Sequence, residues 1–404
     1  MIGRITDETG FLIRTNSGVT KNGLELSNEY YASGIFEYAE PDFLYPDKCL
    51  LLSIPNDQFF NSQWALRNTG QSILTGSPFL FQGDASTVSG IPGSDMNLTQ
   101  AWDFTTGSPS VKIGIIDSGI DSLHPDLQAA GHLMCGYDAF NNVNSSSVDY
   151  ANHGTSVAGI IGAVSNNGIG IAGIAPSSTL MSITIYDVNG LTSSSIIARA
   201  FDTARVRGID VLCNAWGGST PASIITNAVN SAAVNGRGGL GSIILFGSGN
   251  DGRNPPVYPS YLPNVLSVGA STPHDQKKAP GTGNQFYWGS NYGEGTDGDL
   301  DITAPTNCYT LADAGSFEPN FSGTSASVPN AAGVAALVLS VNPSLSRIQV
   351  FDNISRGCDK IDNVNYTVNK TSGKWNAYYG YGRVNALNSV RLAAGVDVIP
   401  PSIS

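Results

Sequence analysis

Four polar side chains stand next to apolar runs and could together perform nucleophilic acyl transfer. Asp117 ends the run "IGIID", Asn250 ends "SIILFGSGN", His153 opens "HGTSVAGIIGAV", and Ser325 lies in "NFSGTSASVPNAAGVAALVLSVN". An acid, an imidazole, a hydroxyl and an amide are the orienting group, base, nucleophile and oxyanion donor of that chemistry. The four residue types therefore predict a catalytic site if the fold brings them together.

Each of the four residues also has an ordinary structural alternative. Asp117 and Asn250 could form side-chain turns, Ser325 could cap its helix, and a lone histidine such as His153 is often structural. A carboxylate at the end of an apolar strand is costly, however, unless hydrogen bonds or a cationic imidazole hold it. The combination favours the catalytic interpretation over four separate structural ones.

The segment around Ser325 breaks local rules of helix formation. Gly323 permits a crowded turn, and the first turn of the helix offers unpaired N–H groups that favour negative charge. Pro329 has no N–H to donate to the carbonyl of Ser325. The residues that follow are apolar on all sides, so we expect a buried helix that holds Ser325 rigidly.

Apolar runs alternate with helix-period segments through most of the chain. Continuous apolar strands separated by helices predict an α/β fold with a mainly parallel sheet covered on both faces. Ligands of such sheets bind beyond the carboxyl ends of the strands. The predicted strands are 111–117, 178–187, 209–218, 242–250 and 264–271, and the predicted helices are 153–164, 193–208 and 221–236.

Composition excludes several classes of protein. The 404 residues are 41% hydrophobic and 13% charged, as in globular domains, and the net charge of -12 argues against a nucleic-acid partner. No run has the roughly 18 apolar residues of a membrane span, and residues 1–20 show no signal-peptide core. Among the five cysteines, Cys213 is expected to be a buried thiol, while Cys308 and Cys358 could pair.

Three motifs carry a resemblance to a known family. "IGIIDSGIDSLHPDL", "NHGTSVAGIIGA" and "FSGTSASVPNAAGVAAL" resemble the aspartate, histidine and serine motifs of the subtilisin-like serine proteases, the subtilases or peptidase S8 family. The order Asp117, His153, Ser325 is the subtilisin order. The resemblance extends from about residue 56 to about 395. It implies a three-layer subtilisin-like fold and a serine endopeptidase that works through an acyl-enzyme.

The same resemblance implies a domain organisation and a substrate site. Residues 1–52 are similar to part of a propeptide, 53–395 to the catalytic domain, and 396–404 form a C-terminal linker. The segments "NAWGG" and "GSGN" resemble the walls that bind substrate, with Asn250 and the Ser325 N–H as oxyanion donors. The implied substrate-binding residues are Ala215, Trp216, Gly217, Gly247, Ser248 and Gly249. No charge lines these segments, which predicts broad specificity with an apolar S1 preference.

Calcium is the cofactor that the resemblance implies. The loop "VSNNGIGIAGIAP" is similar to the family's strong calcium loop and supplies Ser165, Asn167, Ile169 and Ile171, and Asp57 and Asp126 match the carboxylates that complete such sites in some members. Oxygen ligands from loops suit Ca²⁺. A metal-free Gly/Asn turn is the alternative. A second acidic segment, "TDGDLD" (296–301), is interpreted as a solvated loop.

The expected partners follow from this function. They are protein or peptide substrates and the chain's own prosegment, acting as intramolecular inhibitor and chaperone on a secreted, monomeric zymogen. Two alternatives remain open: a peptide-tailoring, transamidating subtilase and an inactive subtilase-fold binding module. A nucleotide-binding α/β domain is disfavoured because no GxGxxG follows "IGIID".

Overall fold

The computed structural model describes most of the chain. The described residues are 2–4, 11–13, 23–34, 39, 54–76, 87–145, 149–218, 220–282, 285, 287–293 and 299–396. Cys49, residues 296–298 of the second acidic segment, and residues 397–404 of the predicted linker lie outside this part. The chain divides into two compact units, Met1–Leu51 and Leu52–Ser404. In the first unit, strand β1 (Ile2–Arg4) pairs antiparallel with β2 (Phe11–Ile13), and helix α1 spans Gly23–Ala32.

The second unit is built on a sheet of eight strands. The strands of this unit are β3 (Ser72–Leu74), β4 (Thr87–Ser89), β5 (Lys112–Asp117), β6 (Tyr137–Asp138), β7 (Val143–Asn144), β8 (Thr179–Thr184), β9 (Val211–Asn214), β10 (Ile243–Gly247), β11 (Leu266–Ser271), β12 (Ile302–Pro305), β13 (Cys308–Ala312), β14 (Ser316–Phe321), β15 (Val368–Lys370) and β16 (Gly373–Trp375). The order in the large sheet is β12-β11-β10-β9-β5-β8-β6-β7, parallel except that β7 runs antiparallel to β6.

Helices cover both faces of this sheet. They are α2 (Leu98–Ala101), α3 (His153–Gly162), α4 (Ser194–Val206), α5 (Ser223–Asn235), α6 (Thr324–Val341), α7 (Arg347–Gly357) and α8 (Ala386–Ala393). Side chains of β5 alternate between two buried clusters: Ile113 and Ile115 pack with α3 and α6, whereas Ile116 packs with α4 and α5. The predicted three-layer α/β fold is confirmed.

All five predicted strands and all three predicted helices are present, with shorter bounds. Strand β8 ends at Thr184 and β9 at Asn214, although the predicted strands continued to 187 and 218. The missing residues leave the sheet and form loops at its carboxyl edge. The edge strand β12 and the antiparallel pair β13–β14 were not predicted, because their sequences lack a long apolar run or a clear alternation.

Helix α6 corrects one expectation from the sequence. It has 18 residues with a mean hydropathy of 1.4, which is the length and composition of a membrane span. The sequence analysis expected no segment of that kind. About 83% of that window is buried inside the protein. Its apolar surface therefore packs against the sheet and neighbouring helices, as expected for the central helix of a domain.

The cysteines of the described residues are all free thiols. Cys213 is buried, which confirms the prediction, but Cys308 and Cys358 do not form the disulfide that the sequence left open. The Cys308 thiol accepts a hydrogen bond from Asn330 Nδ2 at 3.3 Å, whereas Cys358 donates to the Ile354 carbonyl at 3.3 Å. Burial raises the pKa of the Cys308 thiol to about 12, which keeps it protonated and inert at neutral pH.

The second acidic segment is not simply a solvated loop. Asp301 accepts a hydrogen bond from the Ser267 N–H at 2.7 Å and lies where desolvation, with repulsion from Asp299, raises its pKa to about 7. Its Oδ2 thereby ties the start of β12 to β11. The interpretation was wrong at this residue, because the sequence does not show that the segment's last carboxylate meets the end of a buried strand.

We expect the packing between α4 and the sheet to be a main source of stability. Phe201 is fully buried and stacks on Phe246 with ring centroids 6.2 Å apart. Phe201→Ala should lower the free energy of unfolding by about 3–5 kcal/mol, since it leaves a cavity in a packed core. Val206→Ala on the same helix, where the side chain is 73% exposed, should change it by less than about 0.5 kcal/mol. Denaturant titrations of both variants measure the difference, and equal losses would contradict the packing described.

Candidate active site

Asp117 and His153 meet at the carboxyl edge of the sheet. Asp117 is the last residue of β5 and is almost fully buried, and His153 is the first residue of α3. His153 Nδ1 lies 2.8 Å from Asp117 Oδ1 and 3.0 Å from Oδ2. The imidazole is about one-third exposed. Its Nδ1 is therefore occupied by the carboxylate, while the rest of the ring faces the outside.

A close backbone approach makes this contact possible. A Cβ on Gly154 would lie 1.9 Å from the Gly119 carbonyl oxygen and 3.2 Å from the Cβ of Asp117. No side chain fits in that space. The small residues predicted at the start of this helix thus allow α3 to approach the loop after β5, so that the histidine reaches the aspartate.

Two residues that the sequence analysis did not single out support the pair. The Ser118 hydroxyl donates to Asp149 Oδ1 at 2.6 Å and accepts from the Gly154 N–H at 3.0 Å, and the Ser118 N–H donates to Asp117 Oδ1 at 2.7 Å. Asp149 Oδ2 accepts from the Thr155 N–H. Asp149 therefore provides a hydrogen-bond acceptor for the N–H groups in the first turn of α3, directly for Thr155 and through Ser118 for Gly154. The position of Asp149, four residues before His153, could have indicated this role. The polar segment around Asp149 shows neither helical nor strand periodicity, however, so the sequence offered no reason to place it near the histidine.

Charge around the imidazole raises the pKa of His153. Desolvation by itself lowers that pKa, but attraction to Asp117, the hydrogen bond to Asp117 and attraction to Asp149 together outweigh it. The result is a histidine whose cationic form is stabilised by the carboxylate that orients it.

Ser325 lies at the same edge of the sheet. It is the second residue of α6, and its Oγ donates to the Ala215 carbonyl at 3.1 Å. Ile115 of β5 pairs with Cys213 of β9, so Asp117 ends β5 close to Ala215, the first residue after β9. Within the described residues no hydrogen bond joins Ser325 to His153. The structure thus brings Ser325 to the strand next to Asp117, with its hydroxyl on a backbone acceptor.

Two N–H donors converge beside Ser325. Asn250 Oδ1 accepts from the Thr324 N–H at 2.9 Å and from its hydroxyl at 3.1 Å, which leaves the amide Nδ2 of Asn250 for another acceptor. A Cβ on Gly323, which has φ +83°, would lie 3.2 Å from Asn250 Nδ2 and 3.6 Å from the Ser325 nitrogen. Both donors therefore border one small space that a side chain at residue 323 would occupy.

The predicted substrate-binding residues divide into two groups. Trp216 and Gly217 reach the surface after β9, next to Ala215, and Trp216 Nε1 donates to the Ile116 carbonyl at 2.8 Å. Gly249 is half-buried next to Asn250. Gly247 and Ser248, however, are buried, and the Ser248 N–H and carbonyl already bond Val268 and Val257. The main chain of these two residues is thus engaged within the protein, and substrate contact by Gly247 and Ser248 stays a prediction.

A cavity of about 550 Å³ adjoins His153 on the side of the β13–β14 hairpin. Its lining includes Asn152, His153, Glu318 and Phe321. Phe321 packs edge-on against the imidazole, with ring centroids 5.3 Å apart. The sequence analysis did not single out Phe321, although it is the first residue of the serine motif.

The predicted metal ligands lie together around one loop. Asp126 accepts from Asn167 Nδ2 at 2.7 Å and from the Ile171 N–H at 2.9 Å, and Asp57 accepts from the Asn166 N–H at 2.9 Å. Burial, with repulsion from Asp57, raises the pKa of Asp126 to about 6. The Ser165 hydroxyl is buried and has no hydrogen-bond partner, and Ile169 is 38% exposed. Within the described residues no three His, Cys, Asp or Glu side chains form a metal-binding group, so any ion here would depend on carbonyl and amide oxygens.

Comparison with known proteins decides the family. The family model described as "Subtilase family" matches residues 108–382, which include all four candidate catalytic residues. The chain is a subtilase. Membership indicates a serine-type endopeptidase, so this subtilase is an enzyme that cleaves peptide bonds.

Individual relatives agree with this assignment. The chain is 34% identical to thermitase of Thermoactinomyces vulgaris over 72% of this chain and 92% of that protein. It is 32% identical to a calcium-dependent protease of a Nostoc species over 86% of this chain, but the match spans only 53% of that protein. A crystal structure of an Aeromonas sobria serine protease in complex with a chaperone superposes with a TM-score of 0.68 at 18% identity, covering 86% of this chain and 68% of that one. The last comparison supports the fold alone.

We expect the imidazole of His153 to titrate above its ordinary pKa of 6.5. Asp117→Asn should lower that pKa, because it removes the negative charge and leaves desolvation as the largest influence. The stabilising effect of the His153–Asp117 pair should be complete below pH 6.5 and be lost as pH rises through the folded-state pKa. NMR titration of the histidine ring protons measures this. His132, whose pKa is lowered by burial, is the internal control and should not respond to the substitution. A His153 pKa unchanged by Asp117→Asn would contradict the electrostatic account.

Proposed function

We propose that this subtilase hydrolyses peptide bonds with Ser325 as nucleophile, His153 as general base and Asp117 as the group that orients His153. The observation that carries the proposal is the hydrogen bond between His153 Nδ1 and Asp117, at the sheet edge where Ser325 lies in the first turn of α6. This is the arrangement of an acid, a base and a hydroxyl that acyl transfer requires. Asn250 Nδ2 and the Ser325 N–H serve as the oxyanion donors.

The steps follow from these positions. The Ser325 hydroxyl leaves the Ala215 carbonyl, transfers its proton to His153 Nε2 and attacks the scissile carbonyl carbon. Asp117 keeps the Nδ1 proton of His153 in place and stabilises the imidazolium that forms. The two N–H donors receive the oxyanion. His153 then protonates the leaving amine, and in the second half it activates the water that hydrolyses the acyl-enzyme.

The substrate class is a polypeptide with an apolar residue before the cleaved bond. Ala215, Trp216 and Gly217 form an uncharged wall, and the carbonyl of Ala215 accepts the hydrogen bond from Ser325 Oγ. An uncharged wall beside the nucleophile supports this preference. Broad specificity follows because a wall of small and aromatic residues distinguishes side chains only by size and polarity.

We expect a fluorophosphonate probe to label the matured protein at Ser325. Ser325→Ala should abolish labelling and peptide hydrolysis. Ser327→Ala is the matched control, because Ser327 is buried, lies two residues away and has a hydroxyl without a hydrogen-bond partner, so its loss should be tolerated. Labelling of the Ser325→Ala variant at the level of the unmodified enzyme would rule out this nucleophile.

Asn250→Ala tests the oxyanion donor. Loss of one such donor should lower kcat about 100- to 1000-fold with little change in KM, a magnitude already known for a subtilase donor. Product masses from a model peptide distinguish the remaining alternatives. Hydrolysis adds water to each product pair, transamidation yields joined or cyclic peptides, and an inactive binding module leaves the peptide intact.

Residues 1–52 are proposed as a prosegment that inhibits and assists the catalytic domain of a secreted, monomeric zymogen. Residues 1–51 form a compact unit by themselves, which supports a separable segment. N-terminal sequencing of the purified protein should find a new terminus between residues 45 and 56. The Ser325→Ala variant should keep its original terminus if processing is autocatalytic.

Calcium is the proposed structural cofactor of the loop that follows α3. Asp57, Asp126 and Asn167, with the Ser165 and Ile171 carbonyls, would hold the ion, and Ile169 would contribute its carbonyl. The fit rests on two neighbouring carboxylates, Asp57 and Asp126, and on the orphaned Ser165 hydroxyl; burial, with repulsion from Asp57, raises the pKa of Asp126. The name of the Nostoc relative, a calcium-dependent protease, agrees with this. The ion would neutralise the repulsion between the carboxylates and fix the loop.

Removal of calcium should lower the melting temperature. A site with calcium at 100 times its Kd stabilises the folded state by about 2.7 kcal/mol, and a chelator removes that contribution. Asp126→Asn should abolish most of the difference between calcium-loaded and chelated protein. Asp202→Asn, a surface change on α4, should leave the difference intact. An unmodified enzyme that melts at the same temperature with and without calcium would contradict the proposed site.

A further inference from the structure

A segment that is buried except for the half-buried Tyr292, residues 289–292, runs beside the loop that carries Asn250. Each residue from 249 to 253 makes a hydrogen bond to this segment. Two of these bonds use carbonyls of the loop: the Gly249 carbonyl accepts from the Asn291 N–H at 2.9 Å, and the Asn250 carbonyl accepts from the Gly289 N–H at 3.3 Å. The Gly252 N–H donates to the Gly289 carbonyl at 2.7 Å. The N–H groups of Asp251 and Arg253 both donate to Asn291 Oδ1, at 2.9 and 3.1 Å.

The side chain of Asn291 is central to these contacts. It is fully buried, and its Oδ1 receives two backbone N–H groups while its Nδ2 donates to Asp251 Oδ2 at 3.3 Å. A Cβ on Gly249 would lie 2.5 Å from Asn291 Nδ2, so only glycine at 249 lets the amide approach. One side chain therefore supplies the acceptor for two N–H groups of the turn that follows Asn250.

The segment is itself fixed to the sheet by a buried lysine. Lys278 is fully buried, and its Nζ donates to the carbonyls of Ala279, Gln285 and Trp288 at 2.8, 3.0 and 3.1 Å. Its backbone N–H donates to Ala270 of β11, and its carbonyl accepts from Ser290. The support of the Asn250 loop thus extends through Lys278 to strand β11 of the large sheet.

We propose that Asn291 is a positioning residue for the oxyanion donor: it fixes the main chain on the carboxyl side of Asn250, so that the Asn250 amide points at the developing oxyanion. The inference rests on the proposed function. Thr324 holds Oδ1 of Asn250, but the direction of Nδ2 also depends on where the backbone of residue 250 lies. Asn291 does not touch the substrate. A displacement of about 1 Å at such a donor lowers the rate up to about 100-fold.

The first test is Asn291→Ala. We expect kcat to fall about 10- to 100-fold, with KM close to that of the unmodified enzyme, because the donor acts on the transition state. Asn385→Ala is the matched control: Asn385 is also buried, and it caps α8. It should lower the melting temperature without lowering kcat at a temperature well below melting. A normal kcat in folded Asn291→Ala would overturn the proposal.

A double-mutant cycle shows whether Asn291 acts through Asn250. If it does, Asn250→Ala combined with Asn291→Ala should be about as slow as Asn250→Ala alone. Losses that multiply in the double variant would overturn the proposal. Full activity in Asn250→Ala would instead refute the oxyanion assignment, so failure of the proposed function is recognised separately.

If Asn291→Ala does not fold, a pair of variants that exchanges the amide of Asn291 and the carboxylate of Asp251 provides a second test. Asn291→Asp keeps the acceptor for two N–H groups but places a carboxylate against Asp251, and it should lower kcat. Adding Asp251→Asn restores the same side-chain hydrogen bond with donor and acceptor exchanged, and kcat should recover. If Asn291→Asp leaves kcat unchanged, or if the double variant does not recover, the positioning role is wrong.

Discussion

The candidate site depends on one partly buried hydrogen bond, between His153 Nδ1 and Asp117. A buried carboxylate is tolerated only when several donors satisfy it, and here the imidazole and the Ser118 N–H do so. The bond in turn requires α3 to approach the loop after β5 more closely than any side chain at residue 154 would permit. The His153–Asp117 hydrogen bond therefore depends on three features together: the first turn of α3, the glycine at residue 154 and the end of β5.

The second constraint is the rigidity of the mouth of α6. The helix is buried along most of its length, so the position of Ser325 is set by the packing of the central layer and not by a loop. Pro329 removes one N–H donor within the first turns of this helix, and Asn330 Nδ2 adds a side-chain hydrogen bond to the Ala326 carbonyl at 2.9 Å. Thr324 then joins the helix to Asn250, so nucleophile and donor share one support.

Buried polar groups away from the reacting atoms have the same purpose of fixing loops. Lys278 holds three carbonyls, Asn291 holds two N–H groups, and Asp149 holds the start of α3. Such groups cost desolvation energy and add stability only when every partner is present. Their concentration around the sheet edge is expected where a protein needs one fixed arrangement of loops more than it needs added stability.

The sequence by itself determined the layered fold, the five main strands and the residues that could react. Apolar runs and helical periods are local signals, and the polar residues that end them are visible in the letters. It did not show Asp149, Phe321 or Asn291, because these residues act through contacts with segments distant along the chain. It also did not show that Asp301 is half-buried and bonded to the Ser267 N–H, or that Ser248 is buried, because both depend on which strand lies beside them.

Only the tertiary structure decided that Asp117 ends the strand next to the one that Ala215 follows, that Gly154 meets Gly119, and that two N–H donors border Gly323. Strand order and backbone approach are set by long-range packing, which no short stretch of sequence encodes.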